Sequence, residues 1–312
     1  MTGSARPWPG LHVAIPTPFA ADGTVDRAEF VRHARWLAER EIRAIVVGGS
    51  LGEGSALTAE ERRTLVADLV GALPARVSVI AAIGALTTST AVDQARDAQE
   101  ARAAGLLVLP PYVYRGDRRE TLAHFAAILE ATTLPCMLYN NPIAYGTDVD
   151  PELVETLARA HPNLTGVKES SGEVARIAAL RSRLPDRLDL AVGLDEAVLD
   201  GVRAGAVGWV AGLANALPDE SLALFRAARD GPPERADALY RWFRPLLHLD
   251  TVPKFVQEIK LVTAKRGFGS PRVRAPRLEL AAAEAAATRA LLAERLAHAP
   301  ALAPERRPSR AP

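Results

Sequence analysis

Leu164-Thr-Gly-Val-Lys-Glu-Ser-Ser-Gly172 opens on strand-forming residues and closes on small polar ones and a glycine. Such a run reads as a short strand broken by turn chemistry, which places Lys168 where the strand passes into a loop. In barrels of alternating strands and helices, the loops after the strands carry the chemistry. A lysine at that address is either a solvated charge or a nucleophile, and the stretch alone leaves both open.

The same unit recurs on either side of it. Strands are expected from His12 and over 42–47, 77–83, 106–109, 136–139, 164–167, 188–192 and 207–210, starting roughly 18 to 35 residues apart. Helices separate them. Asp26 followed by Glu29, the run Thr58-Ala-Glu-Glu61, and Asp150-Pro151-Glu152 are helix-start signals, and Phe30, Ala34, Leu37 and Ala38 recur at helical spacing. Eight strand–loop–helix units indicate a parallel sheet closed as a (β/α)8 TIM barrel. From Pro218 onward only helices are expected, at 220–228, 234–247, 252–265 and 278–296. The chain therefore divides into an N-terminal extension (1–10), the barrel (11–217), an α-helical appendix packed on it (218–299) and a flexible tail (300–312).

Bulk properties narrow the function. With 38 Lys and Arg against 37 Asp and Glu, and a net charge of +1, the chain has no electrostatic footprint for nucleic acid or an anionic membrane. No run approaches the length of a membrane span, and Met1 to Gly10 lacks a signal-like apolar stretch. The single cysteine, Cys136, lies in an apolar run, so a reducing cytoplasm is the expected compartment. The six histidines are scattered without metal-ligand spacing, and no metal is expected.

Two further stretches bear on Lys168. Gly48-Gly-Ser-Leu-Gly-Glu-Gly54 is not a P-loop, since no Gly-Lys-Ser/Thr follows. It is either a tight turn or a loop whose N–H groups and Ser50 hydroxyl converge on a small carboxylate. Tyr139-Asn-Asn-Pro142 ends the fifth strand, and neighbouring strands bring Tyr139 and Lys168 side by side at one mouth. A lysine is a poor nucleophile while protonated; a dry barrel top disfavours the cation, and an adjacent phenol can shuttle protons as a carbinolamine forms and collapses. Glu53 and Glu169 are expected to hold backbone, whereas His248, Asp250, Tyr240, Trp242 and Phe243 are expected to pack the appendix.

Gly49-Ser-Leu-Gly-Glu53, Tyr139-Asn-Asn-Pro142 and Gly166-Val-Lys-Glu169, in that order, resemble the dihydrodipicolinate synthase and N-acetylneuraminate lyase superfamily of class I, Schiff-base aldolases. The resemblance runs from about residue 11 to 296. It implies Lys168 as the Schiff-base lysine, Tyr139 as the proton shuttle, Ser50 with Gly49 and Leu51 as the carboxylate site, and Val210 as a pocket wall. It also implies a homo-oligomer, tetramer or dimer, and no external cofactor.

Departures from the lysine-pathway synthase concern the substrate. Ala144 stands where that enzyme has an arginine for its aldehyde substrate, Ser50-Leu51 replaces a Thr-Thr pair, and Val113 replaces a relay tyrosine, which Tyr114 is expected to substitute. Tyr139-Asn-Asn-Pro-Ile-Ala-Tyr-Gly146, Gly208-Trp-Val-Ala-Gly212 and the segment from Tyr240 to Lys260 are similar to the 1-pyrroline-4-hydroxy-2-carboxylate deaminases of hydroxyproline degradation. The expected substrate is then a 2-oxo acid or cyclic imino acid, with deamination to 2,5-dioxopentanoate and ammonia as the leading activity. The alternatives are 4-hydroxy-tetrahydrodipicolinate synthesis, aldol cleavage or dehydration of a 2-oxo-3-deoxy sugar acid, and a barrel that only binds such a molecule.

Overall fold

The computed structural model describes residues 6–302. Eight parallel strands close in sequential order: β1 (Gly10–Ala14), β2 (Ala44–Val47), β3 (Ser78–Ile83), β4 (Gly105–Val108), β5 (Cys136–Asn140), β6 (Leu164–Glu169), β7 (Asp189–Val192) and β8 (Gly208–Ala211), with β8 paired back to β1. The strands are buried on both faces, as a sheet wrapped by helices requires. Along β2, Ala44 and Val46 point into the barrel while Ile45 and Val47 pack outward, following the two-residue period.

Between the strands lie α1 (Arg27–Ala38), α2 (Ala59–Ala72), α3 (Thr88–Glu100), α4 (Arg118–Glu130), the single turn α5 (Pro142–Tyr145) at the cavity mouth, α6 (Pro151–Ala160), α7 (Ala175–Arg183) and α8 (Val198–Arg203). The cap signals act locally. Thr58 and Glu61 form both halves of a capping box, and Asp150 accepts from the Leu153 N–H at 2.7 Å. Asp26 accepts from Glu29 N, but the Glu29 carboxylate does not complete a box: it faces Arg32 and the N–H of Gly269.

Four more helices follow: α9 (Pro218–Asp230), α10 (Pro233–Leu247), α11 (Phe255–Lys265) and α12 (Ala282–Ala297). Two start later than expected, because residues 248–254 and 270–281 are not regular helix. They run across the carboxyl ends of the strands and take part in the site described below.

Trp8, in the segment expected to precede the barrel, is 1% exposed and plugs the opposite end of it. Its indole N–H donates to Thr165 Oγ1 at 2.8 Å, and a methyl at Gly105 would come within 2.8 Å of its ring. Of the expected tail, residues 303–312 lie outside the described residues. Among the described residues, no helix is long and apolar enough to cross a membrane.

Candidate active site

Register carries two side chains to one point. Tyr139 on β5 pairs with Lys168 on β6, and both face the barrel interior at the carboxyl end. Lys168 is 7% exposed, and its Nζ lies 4.0 Å from the centre of the Tyr139 ring. Asn141 donates to the Tyr139 phenol oxygen at 2.9 Å, which leaves the phenol's own proton free for another acceptor. Gly193, just after β7, makes room for the lysine: a methyl there would lie 2.3 Å from Lys168 Cε.

Above this pair opens a cavity of about 680 Å³. Every candidate from the sequence lines it: Gly49, Ser50 and Leu51 from the loop after β2, Tyr139, Lys168, and Val210 on β8. The glycine loop folds tightly back on itself, since a methyl at Gly54 would sit 1.8 Å from the carbonyl oxygen of Gly48. Its carboxylate, Glu53, is fully buried; it meets the Lys260 ammonium at 2.6 Å and accepts from the Arg274 N–H at 3.0 Å. Glu169 accepts from Asn140 and from the Ser171 N–H. Both carboxylates hold the frame, as their loop positions suggested.

Tyr114 does not reach the cavity of its own chain. That residue is exposed and donates to Glu120 at 3.0 Å, away from the cavity. Tyr145 occupies the cavity instead. The single turn of α5, ended by left-handed Gly146 at φ 73°, swings Tyr145 inward, where it hydrogen-bonds the Ser50 hydroxyl. Its ring meets Tyr139 edge-on with centres 5.8 Å apart. Burial makes the Tyr145 phenol a weaker acid than usual, and the neighbouring Tyr139 adds to the effect.

Asp250, expected to pack the helical appendix, lines the cavity. Its carboxyl rests on the bare Cα of Gly212, where a methyl would fall 2.0 Å from Oδ1. Next to it, fully buried Asp195 accepts from Trp209 Nε1 at 2.9 Å, from Leu213 N at 2.7 Å and from Gly212 N at 3.2 Å. Two such carboxyls do not both ionise readily. Asp195 has the N–H donors that stabilise an anion. Asp250 has only a weaker donor, the Asp195 N–H, so burial and then the Asp195 charge push it well above the usual carboxylate range, against the pull of Lys168. The arrangement favours the protonated form of Asp250.

Two other titratable groups near the barrel stay out of the site. His248 pairs with Glu196 at 2.8 Å on the outside. Burial pushes the Cys136 thiol up to about 12, which makes it inert. Among the described residues, no cluster of His, Cys, Asp and Glu could hold a metal ion.

Comparison with known proteins agrees with this architecture. The dihydrodipicolinate synthetase family model matches residues 8–295. The 4-hydroxy-tetrahydrodipicolinate synthase of Macrococcus caseolyticus is 31% identical over 267 residues, 86% of this chain and 89% of its own. That of Xanthomonas campestris pv. campestris is 39% identical over 230 residues, 73% of this chain and 76% of its own. Dihydrodipicolinate synthase from Aquifex aeolicus superposes with a TM-score of 0.89 at 27% identity, covering 92% of this chain and 98% of its own. YagE, a prophage protein of the dihydrodipicolinic acid synthase family from E. coli K12 solved with pyruvate, gives 0.87 at 26% identity, over 92% and 98%. A match that runs nearly end to end, on a barrel whose fifth and sixth strands present a tyrosine and a lysine to one cavity, means that the chain belongs to the dihydrodipicolinate synthetase family of Schiff-base-forming lyases.

Proposed function

We propose that this lyase acts on 1-pyrroline-4-hydroxy-2-carboxylate and releases 2,5-dioxopentanoate and ammonia. The observation that carries the reading is Asp250, a carboxyl that lines the cavity also holding Lys168, where burial and the Asp195 charge favour its protonated form. Loss of a 4-hydroxyl as water needs an acid at hand, and an aldol condensation has no such leaving group.

The steps follow from the side chains. The Lys168 amine adds to C2 of the ring imine; the C2–N bond then breaks, leaving a lysine imine at C2 and a free amine on C5. Tyr139 supplies the proton that the departing nitrogen takes up. The substrate carboxylate sits against Ser50 and the N–H groups of the Gly49–Leu51 segment, with Val210 as the opposite wall. The imine acidifies C3, the Tyr139 phenolate removes that proton, and the Tyr145–Ser50 pair passes it outward. Asp250 protonates the leaving 4-hydroxyl. Tautomerisation gives a second imine at C5, and hydrolysis of both frees ammonia and the product. One water is lost and two are consumed, so substrate plus one water balances product plus ammonia. No external cofactor enters.

A second reading, 4-hydroxy-tetrahydrodipicolinate synthesis, is favoured by the names of the curated relatives. Ala144 counts against it, since no guanidinium arises from α5 to grip a second carboxylate. Ammonia release from the hydroxylated pyrroline, without condensation of pyruvate and aspartate semialdehyde, is the expected result of a substrate panel; the reverse pattern would overturn the proposal. Release of pyruvate from a 2-oxo-3-deoxy sugar acid would point to the aldolase alternative. We also propose a homo-oligomer, supported by Val113 and Ile143, which leave large apolar surfaces exposed near the mouth. Sedimentation as a monomer at micromolar concentration would exclude it.

A further inference from the structure

The cavity wall includes a cation that no motif in the sequence marks. Arg277 lies in the segment between α11 and α12, lines the cavity, and is 31% exposed. Its guanidinium makes no side-chain hydrogen bond to any described residue, although it carries five N–H donors. Arg62, the other arginine of the wall, differs: it donates to the backbone oxygens of Ala82 and Gly54.

The one acid near Arg277 is already engaged. Glu53 lies 3.8 Å away, beyond hydrogen-bonding distance, and bonds instead to the Lys260 ammonium at 2.6 Å and to Arg274 N at 3.0 Å. Arg274 has its own partner in Glu61, at 2.8 Å. Glu53, Lys260 and Arg277 together therefore carry one surplus positive charge, and of the two cations only Arg277 reaches the cavity. Glu53 belongs to the same loop as Ser50, and Arg277 is near enough to Tyr145, the hydrogen-bond partner of Ser50, to favour its anion. The surplus charge is thus on the side of the cavity where Ser50 offers its hydroxyl.

We infer that Arg277 is a specificity-determining residue that supplies the counter-charge for the substrate carboxylate over the Ser50 subsite. The inference rests on the Schiff-base reading of Lys168 for its chemistry, though the charge argument stands apart from it. A guanidinium with free donors in a partly enclosed site forms charge-assisted hydrogen bonds to a carboxylate, and a neutral ligand gains nothing comparable.

The test compares the full-length wild type with Arg277→Met and Arg277→Lys. Pyruvate is the anionic probe and pyruvamide its neutral match, each trapped on Lys168 with borohydride and quantified by mass spectrometry. Arg277→Met is expected to raise the half-saturating pyruvate concentration about tenfold or more. It should leave the rate at saturation within about twofold and the pyruvamide curve unmoved, while Arg277→Lys recovers part of the affinity. An unchanged pyruvate curve, or equal weakening for both probes, would overturn the inference. Absence of trapping in the wild type would count against Lys168 rather than Arg277. Calorimetric binding of lactate, which cannot form an imine, then decides: weaker binding to Arg277→Met upholds the inference, and equal binding overturns it.

Discussion

Gly193→Ala is expected to uncouple the fold from the chemistry. The added methyl would lie 2.3 Å from Lys168 Cε, 2.8 Å from its Cγ and 2.0 Å from Ser170 Oγ. Carbon atoms settle about 3.5 to 4.0 Å apart, so the lysine chain must move by more than about 1 Å. Ser170 can swing away, because its buried hydroxyl has no hydrogen-bond partner to lose. Lys168 cannot escape by turning its last torsion, since the Cγ contact lies upstream of it. Gly193 is not among the glycines at positive φ, so alanine adds no backbone strain. The cost to stability is that of mild overpacking, about 1–3 kcal/mol, or a few degrees in Tm. Displacing a reacting amine by about 1 Å costs on the order of a hundredfold in rate. Borohydride trapping with pyruvate under single-turnover conditions, beside a thermal melt, reads both quantities. Trapping within about threefold of wild type in a folded Gly193→Ala would refute the steric argument.

Other outcomes follow from the same geometry. Tyr139→Phe removes the proton carrier and keeps the ring under Lys168; turnover should fall about 10²- to 10⁴-fold, and stopped-flow detection of ammonia measures it. Asp250→Asn should abolish ammonia release yet still permit imine trapping with pyruvate, and loss of both would show that the carboxyl positions Lys168 instead. Since Asp250 acts protonated and its ionisation is shifted upward, the wild-type kcat should decline on the alkaline side, and that limb should be absent from any residual Asp250→Asn activity. The Arg274 guanidinium holds Glu61 down at about 2, below the ordinary ~4.3 of an unfolded glutamate. That contact stabilises the fold above about pH 4.3 and is lost as pH falls toward 2, so Tm should drop over this window. Arg274→Met should flatten the acid limb, and a melt series from pH 6 to 3 tests it.

The barrel and the Tyr139–Lys168 pair were legible because local signals state them. Short apolar runs separated by helical stretches recur along the chain, with caps such as Thr58 and Asp150 marking several of the helices, and once eight strands are in order the neighbours of β6 are known. Trp8, Tyr145, Asp250 and Arg277 escaped for a different reason. Each owes its place to a path of the chain that no periodicity encodes: a segment that tucks beneath the barrel, one helical turn that chooses Tyr145 over Tyr114, and two crossings of the mouth by residues after α10 and α11. In sequence, Asp250 reads as part of the helical packing, and no motif marks Arg277. Only the burial of Asp195 and the prior commitment of Glu53 give them a role in the cavity.

The two crossings also divide the molecule by origin. Tyr139 and Lys168 are fixed by strand pairing, which a change in one helix barely perturbs, whereas Asp250 and Arg277 hang from connecting segments outside the closed sheet. Substitutions in those segments can alter what is admitted and which group departs without disturbing how the covalent adduct is made. A scaffold of this kind diversifies its clientele by rewriting about twenty residues near its end, and library design on residues 248–254 and 270–281 is the corresponding route for engineering.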